Sequence, residues 1–190
     1  MKVIGITGGT GAGKSVLAAE LEKRGAKLID ADKISRQVTS VGGLAFDEIV
    51  SCFGRGVLTQ KGEIDRKILG EIVFNNPQKL ELLEKITHKH IFNEMQRQLD
   101  SCDSKVAVLD VPLLFNCDFP IKCDVTVAVI ADPLIRLRRI MDRDNISEDA
   151  ARARMKNQMD NETYKKLADI CFENNGDIEK VKAFADSLCL

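Results

Sequence analysis

Gly8, Gly13, Lys14 and Ser15 stand in the spacing G-x-x-x-x-G-K-S, inside the stretch TGGTGAGKS that runs from Thr7 to Ser15. Nine residues holding four glycines make neither a good strand nor a good helix. They suit a turn whose successive N–H groups point inward, because no side chain blocks the approach of an anion. An apolar run, VIGI, precedes the turn, and VLAAELEKRG follows it with Leu17 and Leu21 at helical spacing. A helix starting near Gly13 adds the positive end of its dipole at the same place. Lys14 supplies a mobile charge for the outer phosphates, and the Ser15 hydroxyl a ligand for Mg²⁺. Strand, glycine turn and helix in this order predict a nucleoside triphosphate site.

Three further groups bear on chemistry. Asp30 closes the run AKLID and Asp32 stands two residues further on, a spacing that puts both side chains on one side of extended backbone. A carboxylate there can take the proton of an attacking hydroxyl or hold Mg²⁺ through water; Asp32 can equally cap a helix beginning near Lys33. Asp110, in DVPLLF, is a second carboxylate suited to Mg²⁺ through water, and Pro112 marks a loop leaving the sheet there. Arg136, Arg139 and Arg143 lie along one helical stripe, in a segment, 136–156, with seven Lys or Arg against four Asp or Glu. Guanidinium groups closing over a triphosphate would neutralise charge in the transition state, a role favoured for Arg139 and Arg143 over a merely solvated face. His88 reads as a substrate contact or as an ordinary surface histidine.

These groups need elements to carry them. Strands are predicted at 2–6, 26–30, 105–111, 124–131 and 169–174. Helices are predicted at 14–24, ending at Gly25, then at 44–53, 65–74 and 77–100, the last capped by Asn76 with Pro77 behind it. Asp132 and Pro133 open another helix, Ser147 caps the next, and 177–189 closes the chain. Leu83, Ile86, Ile91 and Met95 form a stripe best read as packing. Short strands alternating with helices imply an α/β protein with a mainly parallel five-stranded sheet covered on both faces. Ligands in such sheets sit beyond the carboxyl ends of the strands, the edge where the glycine turn, the aspartates after the second strand, DVPLLF and the arginine-rich helix fall.

Bulk properties bound the rest. The 190 residues, 44% hydrophobic and 30% charged, suit one globular unit with an inserted lobe. A net charge of −1 argues against a general nucleic-acid or membrane binder, and no membrane span or signal peptide is expected. Six cysteines without a C-x-x-C pair and two histidines far from clustered thiols give no zinc site, and fit a reducing cytoplasm. Neither D-x-x-G nor N-K-x-D occurs, as a regulatory GTPase would require, and the transporter signature LSGGQ is missing. A small-molecule kinase instead needs a helical acceptor lobe after the second strand and a basic lid after the fourth, and the sequence has room for both.

The strings GITGGTGAGKS, IDADKISRQV, GEIDRKILGEIVF, DVPLLF and LRRIMDRD with ARARMKNQM, in that order, resemble the dephospho-coenzyme A kinase family, from about residue 2 to FENNG. The resemblance implies ATP-dependent phosphorylation of the ribose 3′-hydroxyl of dephospho-coenzyme A, the final step of coenzyme A biosynthesis. Another small-molecule kinase of this fold, or a nucleotide-binding regulatory protein, would be the rival readings. It also implies a three-layer P-loop kinase fold: a core of about 1–32, 104–134 and 168–190, a helical acceptor-binding insert at 33–103, and a helical lid at 135–167. By the same match, Gly9, Thr10, Gly11, Ala12, Gly13, Lys14, Ser15 and Val16 surround the ATP phosphates, with Ser15 on Mg²⁺. Asp32 orients the acceptor hydroxyl and takes its proton. Arg36, Arg66, His88, Pro112 and Leu113 lie near the acceptor, Arg139 and Arg143 in the lid, and Asn174 and Asn175 by the adenine. The chain departs from the family's usual residues at four places: Val16 for threonine, Lys89 for proline, Asn116 for glutamate and Glu173 for aspartate. The expected partner is the small-molecule substrate alone, with the cytoplasmic protein a monomer or weak homo-oligomer.

Overall fold

The computed structural model describes residues 1–115, 118–156 and 158–189. Asn116 and Cys117 fall outside them. The chain divides into two compact units, Met1–Ile29 with Ser101–Leu190, and Asp30–Asp100.

The first unit is built on strands β1 (Lys2–Thr7), β3 (Val106–Asp110), β4 (Val125–Ile130) and β5 (Ile170–Glu173), with β2 (Lys27–Asp30) completing a sheet ordered β2-β3-β1-β4-β5. β1 pairs in parallel with β3 and β4, and β4 with β5. Alternation along β4 shows why two covering layers are needed. Val127 and Val129 join Ile4, Ile6, Leu17, Leu21, Ala185 and Leu188, the face covered by α1 (Lys14–Lys23) and α9 (Ile178–Cys189). Ala128 and Ile130 point the other way, onto Tyr164 of α8 (Asn161–Leu167). Every residue of β3 is buried, which is why VAVLD reads as an unbroken apolar run until its last position.

Most predicted elements stand within two residues of their expected ends. α1 closes in a Schellman turn, the Gly25 and Ala26 amides donating to the carbonyls of Glu22 and Leu21. Asp132 caps α6 (Pro133–Asp144) through the Leu134 amide at 2.8 Å. The Ser147 hydroxyl accepts from the Ala150 amide at 3.3 Å beside α7 (Glu148–Lys156). Helix α8 was not anticipated; its seven residues, NETYKKL, carry one buried side chain, too few to show a period.

In the second unit, α2 (Ala31–Val38), α3 (Phe46–Phe53) and α4 (Arg66–Phe74) pack against the long α5 (Pro77–Asp100). Ile86, Ile91, Met95 and Leu99 of α5 are buried, as the stripe predicted for three of them, while Leu83 lines a cleft of about 280 Å³ shared with Ser35, Thr39, Leu69 and Val73. α5 runs unbroken through Lys89, the position where proline is usual. Among the described residues, no helix is long and apolar enough to cross a membrane.

Candidate active site

The glycine turn hangs from the carboxyl end of β1, in the middle of the sheet. Ile6 stands in register with Asp110, and the Val111 amide donates to the Ile6 carbonyl at 3.0 Å, so the ends of β1 and β3 lie side by side. Lys14, returning over that edge in the first turn of α1, makes an ion pair with the Asp110 carboxylate. Within the turn the Ala12 amide donates to Gly9 O at 3.0 Å and the Val16 amide to Gly13 O at 3.0 Å. Among the described residues, no hydrogen bond uses the N–H groups of Gly11, Gly13, Lys14 or Ser15. Four amides are thus left open at a helix N-terminus, where the dipole is positive.

Two guanidinium groups from α6 hold the turn from behind. Arg136, only 5% exposed, donates from Nε to Thr10 O at 3.0 Å and from Nη2 to Gln158 Oε1 at 2.7 Å. Arg139 donates from Nη1 to the carbonyls of Gly11, Ala12 and Asn174, at 3.2, 3.3 and 3.0 Å. Neither has a carboxylate partner among the described residues, and burial pushes the Arg136 guanidinium below its ordinary pKa. A buried cation compensated only by carbonyl dipoles favours an anion nearby. Arg143 does not join them. It is exposed and forked onto Asp144 at 2.7 and 3.0 Å, which raises its pKa; helical spacing gave the stripe but not this local partner.

The remaining positions in this unit divide by contact. Thr10 has all its polar atoms engaged within the chain: its amide donates to Gln158 Oε1 at 2.9 Å, and its hydroxyl accepts from Gln158 Nε2 at 2.7 Å. Asn174 is buried and donates to Ala12 O at 3.0 Å, so its side chain braces the turn rather than opening onto a base pocket. Asn175 instead lines a cleft of about 180 Å³ with Ile130, Asp132, Pro133, Asn161 and Glu173. Its Oδ1 accepts from the Asp132 amide at 2.9 Å. Pro112 accepts the Thr7 hydroxyl at 3.0 Å, and Leu113 is exposed on the turn that follows β3. Gln158 and Tyr164, a buried phenol hydrogen-bonded to Thr7, join Arg136 around the turn. Only the stripe hinted at Arg136; nothing in the spacing marks the other two.

In the second unit, the two aspartates are not paired on extended backbone. Asp30 is the N-cap of α2, accepting from the Lys33 amide at 3.0 Å, and Asp32 lies inside the first turn. Capping therefore falls to Asp30, and the Asp32 carboxylate is exposed with no such duty. Arg36 follows one turn later on the same face of α2 and is exposed. Arg66 donates to Thr39 Oγ1 at 3.1 Å at the rim of the 280 Å³ cleft. His88, half-buried on α5, stacks obliquely on Phe92 at 5.2 Å between ring centroids. The neighbouring His90 and Lys89 both reach Glu48, at 2.8 and 3.8 Å, and the His90 hydrogen bond above all holds its carboxyl below the usual range.

The model of one protein family, dephospho-CoA kinase, matches residues 2–180. The chain belongs to the dephospho-CoA kinase family. A dephospho-CoA kinase of Fusobacterium nucleatum subsp. nucleatum is 39% identical over 190 residues, covering 98% of each chain. A crystal structure from Thermus thermophilus superposes with a TM-score of 0.86 at 29% identity, covering 98% of this chain and 96% of that one. The dephospho-CoA kinase from Campylobacter jejuni follows with a TM-score of 0.61 and 31% identity, covering 98% of this chain and 95% of that one.

For a dephospho-CoA kinase chain the turn has a demanding position at Gly13, where φ is +90° and a Cβ would overlap the Asn174 carboxamide. Gly13→Ala is expected to weaken ADP binding at least about 10-fold, because the left-handed backbone costs ~1–2 kcal/mol and Asn174 must move off Ala12. Calorimetric titration with ADP checks it. Affinity within two-fold of wild type would mean that the turn does not need this conformation.

Proposed function

We propose that the chain transfers the γ-phosphoryl group of ATP to the ribose 3′-hydroxyl of dephospho-coenzyme A, giving ADP and coenzyme A. Four open amides backed by two unneutralised guanidinium groups are the observation that carries this reading, since together they fit a triphosphate. Gly9 and Val16 belong to the same turn by sequence, although Thr10 serves it through the chain's own contacts. The cleft at Asn175 suits the adenine ring, with carbonyl and carboxamide groups around a shallow polar space.

Lys14 follows the transferring phosphoryl group, exchanging Asp110 for phosphate oxygens of like charge. Mg²⁺ would be held by the Ser15 hydroxyl and, through water, by Asp110, and would neutralise charge on the β- and γ-phosphates. Both residues fit it: an exposed hydroxyl at the start of α1 and a carboxylate ending β3 are oxygen donors suited to a hard cation. A metal that arrives with the nucleotide needs no dedicated cage, and among the described residues no cluster of three or more His, Cys, Asp or Glu forms one.

Asp32 orients the 3′-hydroxyl and accepts its proton as the new P–O bond forms and the bond to the β–γ bridging oxygen breaks. A carboxylate is a weak base at neutral pH, which a loose transition state tolerates, so positioning is its larger contribution. Arg36 and Arg66 are exposed cations suited to the acceptor's phosphates, with His88, Pro112 and Leu113 contacting its remainder. Arg143 serves the lid, 135–167, once released from Asp144. The setting is cytoplasmic, and the chain works as a monomer or weak homo-oligomer.

Coupled assay of ADP release with a panel of acceptors tests the reading. Turnover should require dephospho-coenzyme A. Turnover with a nucleoside monophosphate or a sugar acid alone would point to another kinase of this fold, and acceptor-independent hydrolysis to a regulatory protein.

A further inference from the structure

Thr10 stands at the tip of the turn, and two side chains from distant sequence claim its three polar groups. Gln158, in the segment between α7 and α8, takes the amide at 2.9 Å and the hydroxyl at 2.7 Å; Arg136 takes the carbonyl at 3.0 Å. The same Gln158 Oε1 also accepts from Arg136 Nη2 at 2.7 Å, so the three residues close a ring of hydrogen bonds. Gln158 uses both ends of its carboxamide, one oxygen for two donors and one nitrogen for the hydroxyl.

A neutral group at this place is chemically unexpected. A carboxylate of the same length could accept from the Thr10 amide, the Thr10 hydroxyl and Arg136 together, and would add an ion pair to a guanidinium that burial leaves uncompensated. Such a replacement favours the fold. It would also cancel the positive charge behind the open amides and set a negative charge near the phosphates. Glutamine keeps the geometry and leaves the charge of Arg136 available to the ligand.

We propose that Gln158 is a positioning residue for nucleotide binding: it pins the tip of the phosphate-binding turn through Thr10 while leaving Arg136 unneutralised. The inference rests on ATP being the ligand of this turn. It assigns a task to the segment after α7 that is separate from any contact that segment makes with substrate.

Gln158→Glu separates this role from a structural one. The variant should melt at or above the wild-type temperature, yet bind ADP and MgATP about 10-fold or more weakly by calorimetry, with KM for ATP raised in step and KM for dephospho-coenzyme A within two-fold. Gln158→Met, of similar length and uncharged, removes all three hydrogen bonds; it should weaken ADP about 10-fold and also lower the melting temperature. Wild-type nucleotide affinity in both variants would overturn the proposal, as would an equal rise in both KM values. If the charged variant fails to fold, the methionine variant's ADP affinity decides alone. Wild-type protein that binds ADP but does not phosphorylate dephospho-coenzyme A would sink the functional reading and leave this inference standing on the calorimetry.

Discussion

Asp32→Asn is expected to lower kcat by about 10³-fold, within the range for loss of a positioned base, while KM for ATP and the affinity for ADP stay within a few-fold. The expectation is sharp because the substitution changes little else. Asp30, not Asp32, accepts from the Lys33 amide and caps α2. Asp32 is exposed, and among the described residues it makes no ion pair. The lost charge near a helix N-terminus costs only a few tenths of a kcal/mol up to about 1 kcal/mol, so the melting temperature should move by roughly 1–4 °C. Steady-state kinetics at saturating ATP and dephospho-coenzyme A, with a melting curve on the same preparation, separate the two effects. A kcat within two-fold of wild type would remove Asp32 from the chemistry. A matched fall in stability and rate would instead make it part of the fold.

The sequence carried the elements well where periodicity was long or a cap was explicit. Asn76-Pro77 and Asp132-Pro133 each mark a helix start, and both helices begin there because proline fixes φ and needs no donor at the first position. Alternation of strands and helices gave a parallel sheet but not the order β2-β3-β1-β4-β5, since order depends on which way each crossover turns, and no single segment encodes that. The same limit governs the site. The glycine turn is legible because its chemistry is local to eight consecutive residues. Arg136, Gln158 and Tyr164 meet it from more than a hundred residues away, through contacts that tertiary packing creates.

Two features that the spacing leaves open have the same cause. Spacing alone puts the aspartates on extended backbone, but the chain turns into α2 directly after Asp30, which moves Asp32 round the helix. Asn174 and Asn175, adjacent at the end of β5, point to different neighbours, one onto Ala12 O and the other beside Asp132. A sequence shows that both carry amides and leaves their direction to the pleat and the turn beyond it. Burial then assigns them: the enclosed carboxamide must find a partner, and the carbonyl of the phosphate-binding turn supplies it.

Lys14→Ala is the other substitution with a large expected effect, a fall of about 10³-fold in kcat/KM for ATP, comparable with removal of a principal charge-stabilising donor. Two causes contribute, and they can be separated. Lys14 supplies the charge that follows the transferring phosphoryl group, and in the present arrangement it pairs with Asp110, whose side chain is 9% exposed. Without Lys14 the buried carboxylate loses that partner, which destabilises the fold and also sets a negative charge near incoming phosphates. Adding Asp110→Asn to Lys14→Ala should therefore recover much of the lost melting temperature. It should not recover turnover, because the phosphoryl group still lacks its cation and Mg²⁺ loses an oxygen donor. Thermal denaturation and ADP-release assays on the single and double variants form the test, read as a double-mutant cycle. Recovery of turnover along with stability would show that Lys14 acts only by balancing Asp110. Stability restored without rate, with Asp110→Asn alone turning over well above the double variant, would place the lysine in the chemistry of transfer.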